Sequence, residues 1–123
     1  MTGIDKVQVL VVEDEPLVRM SIALHLENAG YIVFEAGNAD DAVEILIANT
    51  AISSMFTDID MPGGMNGLKL AAAVRDRWPP IKIVVTSGHH VPSLDQLPAE
   101  ARFIPKPYNP DRIVSTFQQM SAA

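Results

Sequence analysis

The chain has 123 residues, 48% hydrophobic and 20% charged, a length and balance that fit one globular domain and exclude a disordered chain. It contains no cysteine, which excludes a disulfide framework, a thiolate zinc site and a cysteine nucleophile. Nine Lys plus Arg against 15 Asp plus Glu give a net charge of −6, and the cations are scattered from Lys6 to Arg112, so direct nucleic-acid binding, which needs clustered cations, is not expected.

The first six residues, Met1 to Lys6, lack the apolar centre of a signal peptide. The longest apolar runs, such as Val9-Leu10-Val11-Val12, are strand-length and far short of a membrane span. No membrane role is expected, and the expected location is the cytoplasm. Val7 to Val12 reads as a buried strand, because its β-branched residues show no polar alternation after Gln8. Leu17 to Ala29 predicts a helix: Val18, Ile22, Leu26 and Ala29 recur at spacings of three and four, with Leu17 and Leu24 beside them, and Gly30 closes it. Tyr31 to Glu35 is a second strand. Asn38 predicts an N-cap, with Asp40 and Asp41 in the first turn of a helix carrying Ala42, Val43, Leu46 and Ile47.

Ser54 to Thr57 is a third strand ending in Asp58, and Pro62-Gly63-Gly64 signals a loop. Leu68 to Trp78 is a helix stopped by Pro79-Pro80, and Ile81 to Thr86 is a fourth strand. Between residues 89 and 100, Pro92 and Pro98 leave room for only one or two helical turns. Arg102 to Ile104 is a short fifth strand. Asn109-Pro110-Asp111 starts a last helix with Ile113, Val114, Phe117 and Met120 on its apolar face. Ser121-Ala122-Ala123 reads as a frayed end. The alternation predicts an α/β fold: a doubly wound parallel sheet of five strands, (βα)5 in order, with the fourth helix short or irregular.

In such sheets chemistry collects at the carboxyl ends of the strands. Those ends carry Glu13-Asp14, Asp58 with Asp60 beyond it, Thr86-Ser87-Gly88, and Lys106-Pro107. Asp14 and Asp58 side by side repel one another and call for a cation. Magnesium answers this with oxygen ligands, one or two carboxylates and retained waters. Lys106 adds a compact charge suited to a phosphoryl group, and Ser87 adds a hydroxyl donor. A carboxylate such as Asp58 can attack phosphorus and form an acyl phosphate.

The chain resembles the receiver domain of response regulators, the phospho-acceptor module of two-component signalling. The resemblance covers about residues 6 to 120. It is carried by Val9-Leu10-Val11-Val12-Glu13-Asp14-Glu15, by Asp58 with Met61-Pro62 and Asn66-Gly67, by Val85-Thr86-Ser87-Gly88 and by Phe103-Ile104-Pro105-Lys106-Pro107. It implies a flavodoxin-like sheet in a single receiver over residues 1–123. Asp58 would accept a phosphoryl group from a sensor histidine kinase or a histidine phosphotransfer protein. Asp14, Asp58 and the backbone carbonyl of Asp60 would hold Mg2+, or Mn2+ in its place, with Glu13 acting through water. Lys106 would pair with Asp58, and the amides of Ile59 and Gly88 would meet phosphoryl oxygens. Ser87 would turn to the phosphoryl and let Phe103 swing inward, changing a surface read by a downstream protein target. The protein would catalyse only its own phosphorylation and dephosphorylation. With no room for an output domain, the resemblance implies a stand-alone relay shuttle, adaptor or phosphate sink.

Some features depart from the family pattern. The loop after Asp58 is one residue longer than its commonest form. Asp60 adds a carboxylate that can bind the metal, hold an attacking water or repel the phosphorylated state. Phe103 also reads as plain core, Thr86 competes with Ser87, Trp78 reads as packing, and His89-His90 as an exposed loop pair. Two other functions compete. One is an adaptor working without phosphorylation. The other is an aspartyl-nucleophile phosphatase, since Asp58-Ile59-Asp60 resembles the Asp-x-Asp of haloacid-dehalogenase-type enzymes, although there it opens the first strand. A flavin module is excluded by three acids, Glu13, Asp14 and Glu15, where phosphate would sit.

Overall fold

The computed structural model describes residues 6–61, 65–89 and 91–122. Five strands and four helices follow one another as β1 (Gln8–Val12), α1 (Pro16–Asn28), β2 (Ile32–Ala36), α2 (Ala39–Ala48), β3 (Ile52–Asp58), α3 (Gly67–Arg77), β4 (Lys82–Ser87), β5 (Arg102–Pro105) and α4 (Asp111–Ala122). Each expected strand and helix is present, with its ends moved by a residue or two. The exception is the fourth helix of the expected (βα)5 series: among the described residues there is none between β4 and β5, only turns. The loop signal Pro62-Gly63-Gly64, His90, Ala123 and residues 1–5 lie outside the described residues.

All strand pairs are parallel, and the sheet order is β2-β1-β3-β4-β5. The β1 run explains why the sheet is covered on both sides. Val9 and Val11 point to one core, with Ile22 and Leu26 of α1 and Ile113 and Phe117 of α4. Leu10 and Val12 point to the other, with Ala39, Ala42 and Leu46 of α2 and Leu70, Ala71 and Val74 of α3. A strand buried on both faces cannot alternate apolar with polar residues, which is the pattern the sequence shows. Among the described residues, no helix is long and apolar enough to cross a membrane.

Local signals account for most helix ends. Asn38 Oδ1 accepts from Asp41 N at 2.8 Å, the expected cap of α2, and Asn66 Oδ1 caps α3 from Lys69 N at 3.0 Å. Asn109 Oδ1 accepts from Asp111 N at 2.9 Å ahead of α4. Gly30 follows α1 with φ 102°, the left-handed position that glycine suits. Some expected core positions are not core. Leu17, Val18, Leu24, Ala29 and Ile47 are exposed, because α1 and α2 each lay only a narrow stripe, centred on Ile22–Leu26 and Ala42–Leu46, against the sheet.

The described residues of segment 88–101 form no helix; one Arg75 bond, at Ala99 O, and apolar packing tie them to the rest of the fold. Arg75, near the end of α3, donates from Nε to Ala99 O at 2.8 Å and from Nη1 to Ile81 O at 2.8 Å and to Pro79 O. Pro92 is buried and Leu97 packs against the α2/α3 core.

Candidate functional site

Parallel register brings the strand ends to one edge. Val12 pairs with Thr57, Asp58 with Thr86, and Ser87 with Pro105. Glu13 follows β1, Asp58 closes β3, Ser87 closes β4 and Lys106 follows β5. Backbone bonds continue past the strands: Glu13 N donates to Ala36 O at 3.0 Å, Ile59 N to Thr86 O at 2.8 Å and Lys106 N to Ser87 O at 3.0 Å.

At this edge Glu13, Asp14 and Asp58 each offer a carboxylate oxygen within 4.8 Å of the others. Glu13 and Asp58 are buried, at 4% and 3% exposure, and Asp14 is half-buried. Lys106 Nζ donates to Asp58 Oδ2 at 2.7 Å, and Asp60 N donates to Asp58 Oδ1 at 3.0 Å. Asp58 is thus held at both oxygens. A buried carboxylate left without its partner would cost several kcal/mol.

Burial and the neighbouring charges displace the proton affinities of this edge. Burial first, then the Asp58 charge and hydrogen bonds with Asp14 and Asp58, raise Glu13 from 4.5 to about 7, against a lowering hydrogen bond from Glu15 N. Burial lowers the Lys106 ammonium, but its hydrogen bond to Asp58 and the charges of Asp58, Glu13 and Asp60 outweigh this and leave it raised. Burial, with the charges of Glu13 and Asp58, pushes the Tyr108 phenol up to about 12.

The expected residues divide by what they touch. Ser87 Oγ donates to Asp60 Oδ2 at 2.6 Å and accepts from His89 N at 3.1 Å. Thr86 Oγ1 turns instead to Ile104 O at 2.6 Å, so its hydroxyl ties β4 to β5. Phe103 is half-buried opposite Val85 and packs on the α2/α3 core. The Ile59 amide, expected at the phosphoryl, is engaged with Thr86 O, and the Asp60 amide faces Asp58 in its stead. His89 is exposed. Trp78 closes α3 against the core, with the Arg77 guanidinium 4.8 Å above its ring.

Two supporting residues, Arg19 and Tyr108, were not singled out in the sequence, and a third, Gly67, stood there only as part of Asn66-Gly67. Arg19 Nη1 donates to Glu13 O at 2.7 Å and its Nε lies 3.4 Å from Glu35, bracing the acidic loop from α1. Tyr108, two residues after Lys106, stands edge-on to Phe56 at 5.8 Å. Gly67 is fixed by space: a Cβ there would lie 2.0 Å from Asp58 O. A cation one helical turn beyond the acidic pair and an aromatic two residues beyond the lysine were the available signals.

The edge therefore joins clustered carboxylates, one ammonium and a hydroxyl on a flavodoxin-like sheet. The model of the response regulator receiver domain matches residues 9–118. The chain belongs to this family. The receiver is 34% identical over 116 residues to the sensor kinase CckA of Brucella abortus, covering 91% of this chain and 12% of that protein. It is 32% identical over 112 residues to the nitrogen assimilation regulatory protein NtrX of Azorhizobium caulinodans, covering 86% of this chain and 24% of that one. The chain thus spans between about an eighth and a quarter of the length of these relatives. In fold it is similar to a response regulator receiver protein from Sinorhizobium medicae, with TM-score 0.87, 24% identity and 97% of each chain covered.

Proposed function

We propose that this receiver takes a phosphoryl group onto Asp58 from a phosphohistidine of a sensor histidine kinase or a histidine phosphotransfer protein. The observation that supports this most is the buried Asp58 carboxylate, bonded to Lys106 at 2.7 Å and grouped with Glu13 and Asp14 within 4.8 Å. Receivers bind Mg2+ through acidic residues, and this donor set fits a hard divalent cation: three carboxylates, two of them buried, face one ammonium. Asp14, Asp58 and the Asp60 carbonyl would hold Mg2+ or Mn2+, with Glu13 acting through water. The ion supplies charge neutralisation at phosphorus.

The residues of the chain then do the following. An Asp58 carboxylate oxygen attacks phosphorus as the phosphorus–nitrogen bond to the donor imidazole breaks. The imidazole leaves with that electron pair, and an acyl phosphate forms. Lys106 moves its ammonium from the Asp58 carboxylate to the transferred phosphoryl. The site charge changes from −1 to about −2. Ser87 turns its hydroxyl to the new oxygens, and Phe103 takes up the vacated space. Segment 89–100, β5 and α4 then present a changed surface to a downstream protein. The chain turns over no external substrate in this reading. The receiver forms one domain over residues 1–123, and its setting is the cytoplasm.

The phosphatase reading finds less support, because the Asp60 carboxylate that would serve as general acid is turned onto Ser87. The experiment is phosphotransfer from an autophosphorylated histidine kinase carrying a radiolabel. Label should pass to this chain in Mg2+ and be lost with chelator and in Asp58→Asn. Signalling that survives Asp58→Asn would favour the adaptor instead.

A further inference from the structure

Asp60 is the residue of the edge that the phospho-acceptor reading leaves without a part for its side chain. Its amide faces Asp58 Oδ1 at 3.0 Å, while its carboxylate points across to β4 and accepts from Ser87 Oγ at 2.6 Å. That length is typical of a hydroxyl bonded to an ionised acceptor, the stronger class of hydrogen bond. A serine hydroxyl has one proton to give. Ser87 is only 3% exposed, and its oxygen also accepts from His89 N at 3.1 Å. Among the described residues its rotamer is therefore held by a carboxylate from the β3 end and an amide from the β4 end.

We propose that the Asp60 carboxylate is a latch on Ser87, so that Asp60 and the phosphoryl group on Asp58 compete for one hydroxyl. Asp60 is a positioning residue in this scheme, acting through Ser87 rather than on phosphorus. The inference rests on the phospho-acceptor reading and adds its sign: the latch favours the unswitched state, and weakening it favours the switched one. Exchange of one charge-assisted bond for another leaves the two states close in free energy. Removal of the Asp60 carboxylate also removes a repelling charge near the phosphoryl, an effect in the same direction. The two are separable, because the charge acts whether or not Ser87 has a hydroxyl.

The test is a double-mutant cycle read by titration with beryllofluoride, the phosphoryl mimic, in Mg2+. Asp60→Asn keeps an acceptor and loses the charge; Asp60→Ala loses both. With Ser87 present, Asp60→Ala should bind the mimic about tenfold more tightly than wild type, with Asp60→Asn between them. In a Ser87→Ala background the Asn and Ala variants should bind alike. In the metal-free, unmodified protein, the Ser87 side-chain couplings by NMR should report one rotamer for wild type and averaged rotamers for Asp60→Ala, with the rest of the amide spectrum unchanged. The near-isosteric Asp60→Asn protects the test against a folding defect in Asp60→Ala. Equal Asn and Ala effects with and without the Ser87 hydroxyl, or a Ser87 rotamer unmoved by Asp60→Ala, overturn the latch and leave the acceptor role of Asp58 intact. Wild type that does not bind the mimic, while its unmodified Ser87 behaves as described, overturns the acceptor reading and with it the competition.

Discussion

At the scale of single residues, the edge is a balance of like charges with one cation. Glu13 shows it most clearly. Its acid is raised from 4.5 to about 7 by burial and by the neighbouring acids. A carboxyl whose folded value lies above its ordinary one favours folding only while protonated. Its penalty is absent below about pH 4.5, grows through the interval and is complete above about pH 7. A separation of this size corresponds to roughly 3 kcal/mol. In chelator, Glu13→Gln should therefore unfold at a higher temperature than wild type at pH 8, and the gap should close by pH 4.5; a gap independent of pH would contradict this account. With Mg2+ present the order should reverse, since the binding of a ligand to the folded state stabilises it. Glu13, Asp14, Asp58 and Lys106 were legible in the sequence because each follows a strand-length apolar run. The Ser87–Asp60 bond was not, because 27 residues separate the partners and only the Ser87 rotamer decides which neighbour it meets.

Among the secondary-structure elements, two connections carry unusual demands. Helix α3 begins against the end of β3, where a Cβ on Gly67 would meet Asp58 O at 2.0 Å, Asp58 C at 2.7 Å and the Ile59 Cα at 2.7 Å. These are backbone atoms and cannot swing aside. Gly67→Ala should lower stability by more than about 3 kcal/mol, read by urea unfolding. Gly88→Ala is the control, since a Cβ there meets Lys106 side-chain atoms only at an ordinary 3.6 Å. The second connection is the irregular stretch between β4 and β5. Its two prolines limited it to one or two helical turns, and its described residues hold only turns; its bond to Arg75 was hidden, because 24 residues separate Arg75 from Ala99. Arg75→Ala removes one bond into this stretch, at Ala99 O, and two to the carbonyls of Pro79 and Ile81 just before β4. It should cost about 1–3 kcal/mol and open residues 91–101 to proteolysis and hydrogen exchange. Arg75→Lys should rescue little, since an ammonium lacks the planar fork that spans those carbonyls. Unchanged exchange in that segment would show that Pro92 and Leu97 hold it alone.

Across the whole molecule, the placement of chemistry follows from the parallel sheet. Two cores, one under α1 and α4 and one under α2 and α3, require the apolar runs that made the strands readable. Parallel pairing then aligns every carboxyl end on one edge, so residues 13, 58, 87 and 106 meet although they are distant in sequence. The strands and their carboxyl ends were legible for that reason. The exposure of Leu17, Leu24 and Ile47 was not, because periodicity gives the direction of an apolar face but not how wide a stripe the sheet covers. The account as a whole stands on Asp58 as the phosphorylated side chain. It is tested most directly by incubating the protein with acetyl phosphate and Mg2+, and measuring intact mass and the modified peptide. The predicted result is one added phosphoryl group on Asp58, absent with chelator and absent in Asp58→Asn. A phosphoryl group on another residue, or none under these conditions, would contradict it.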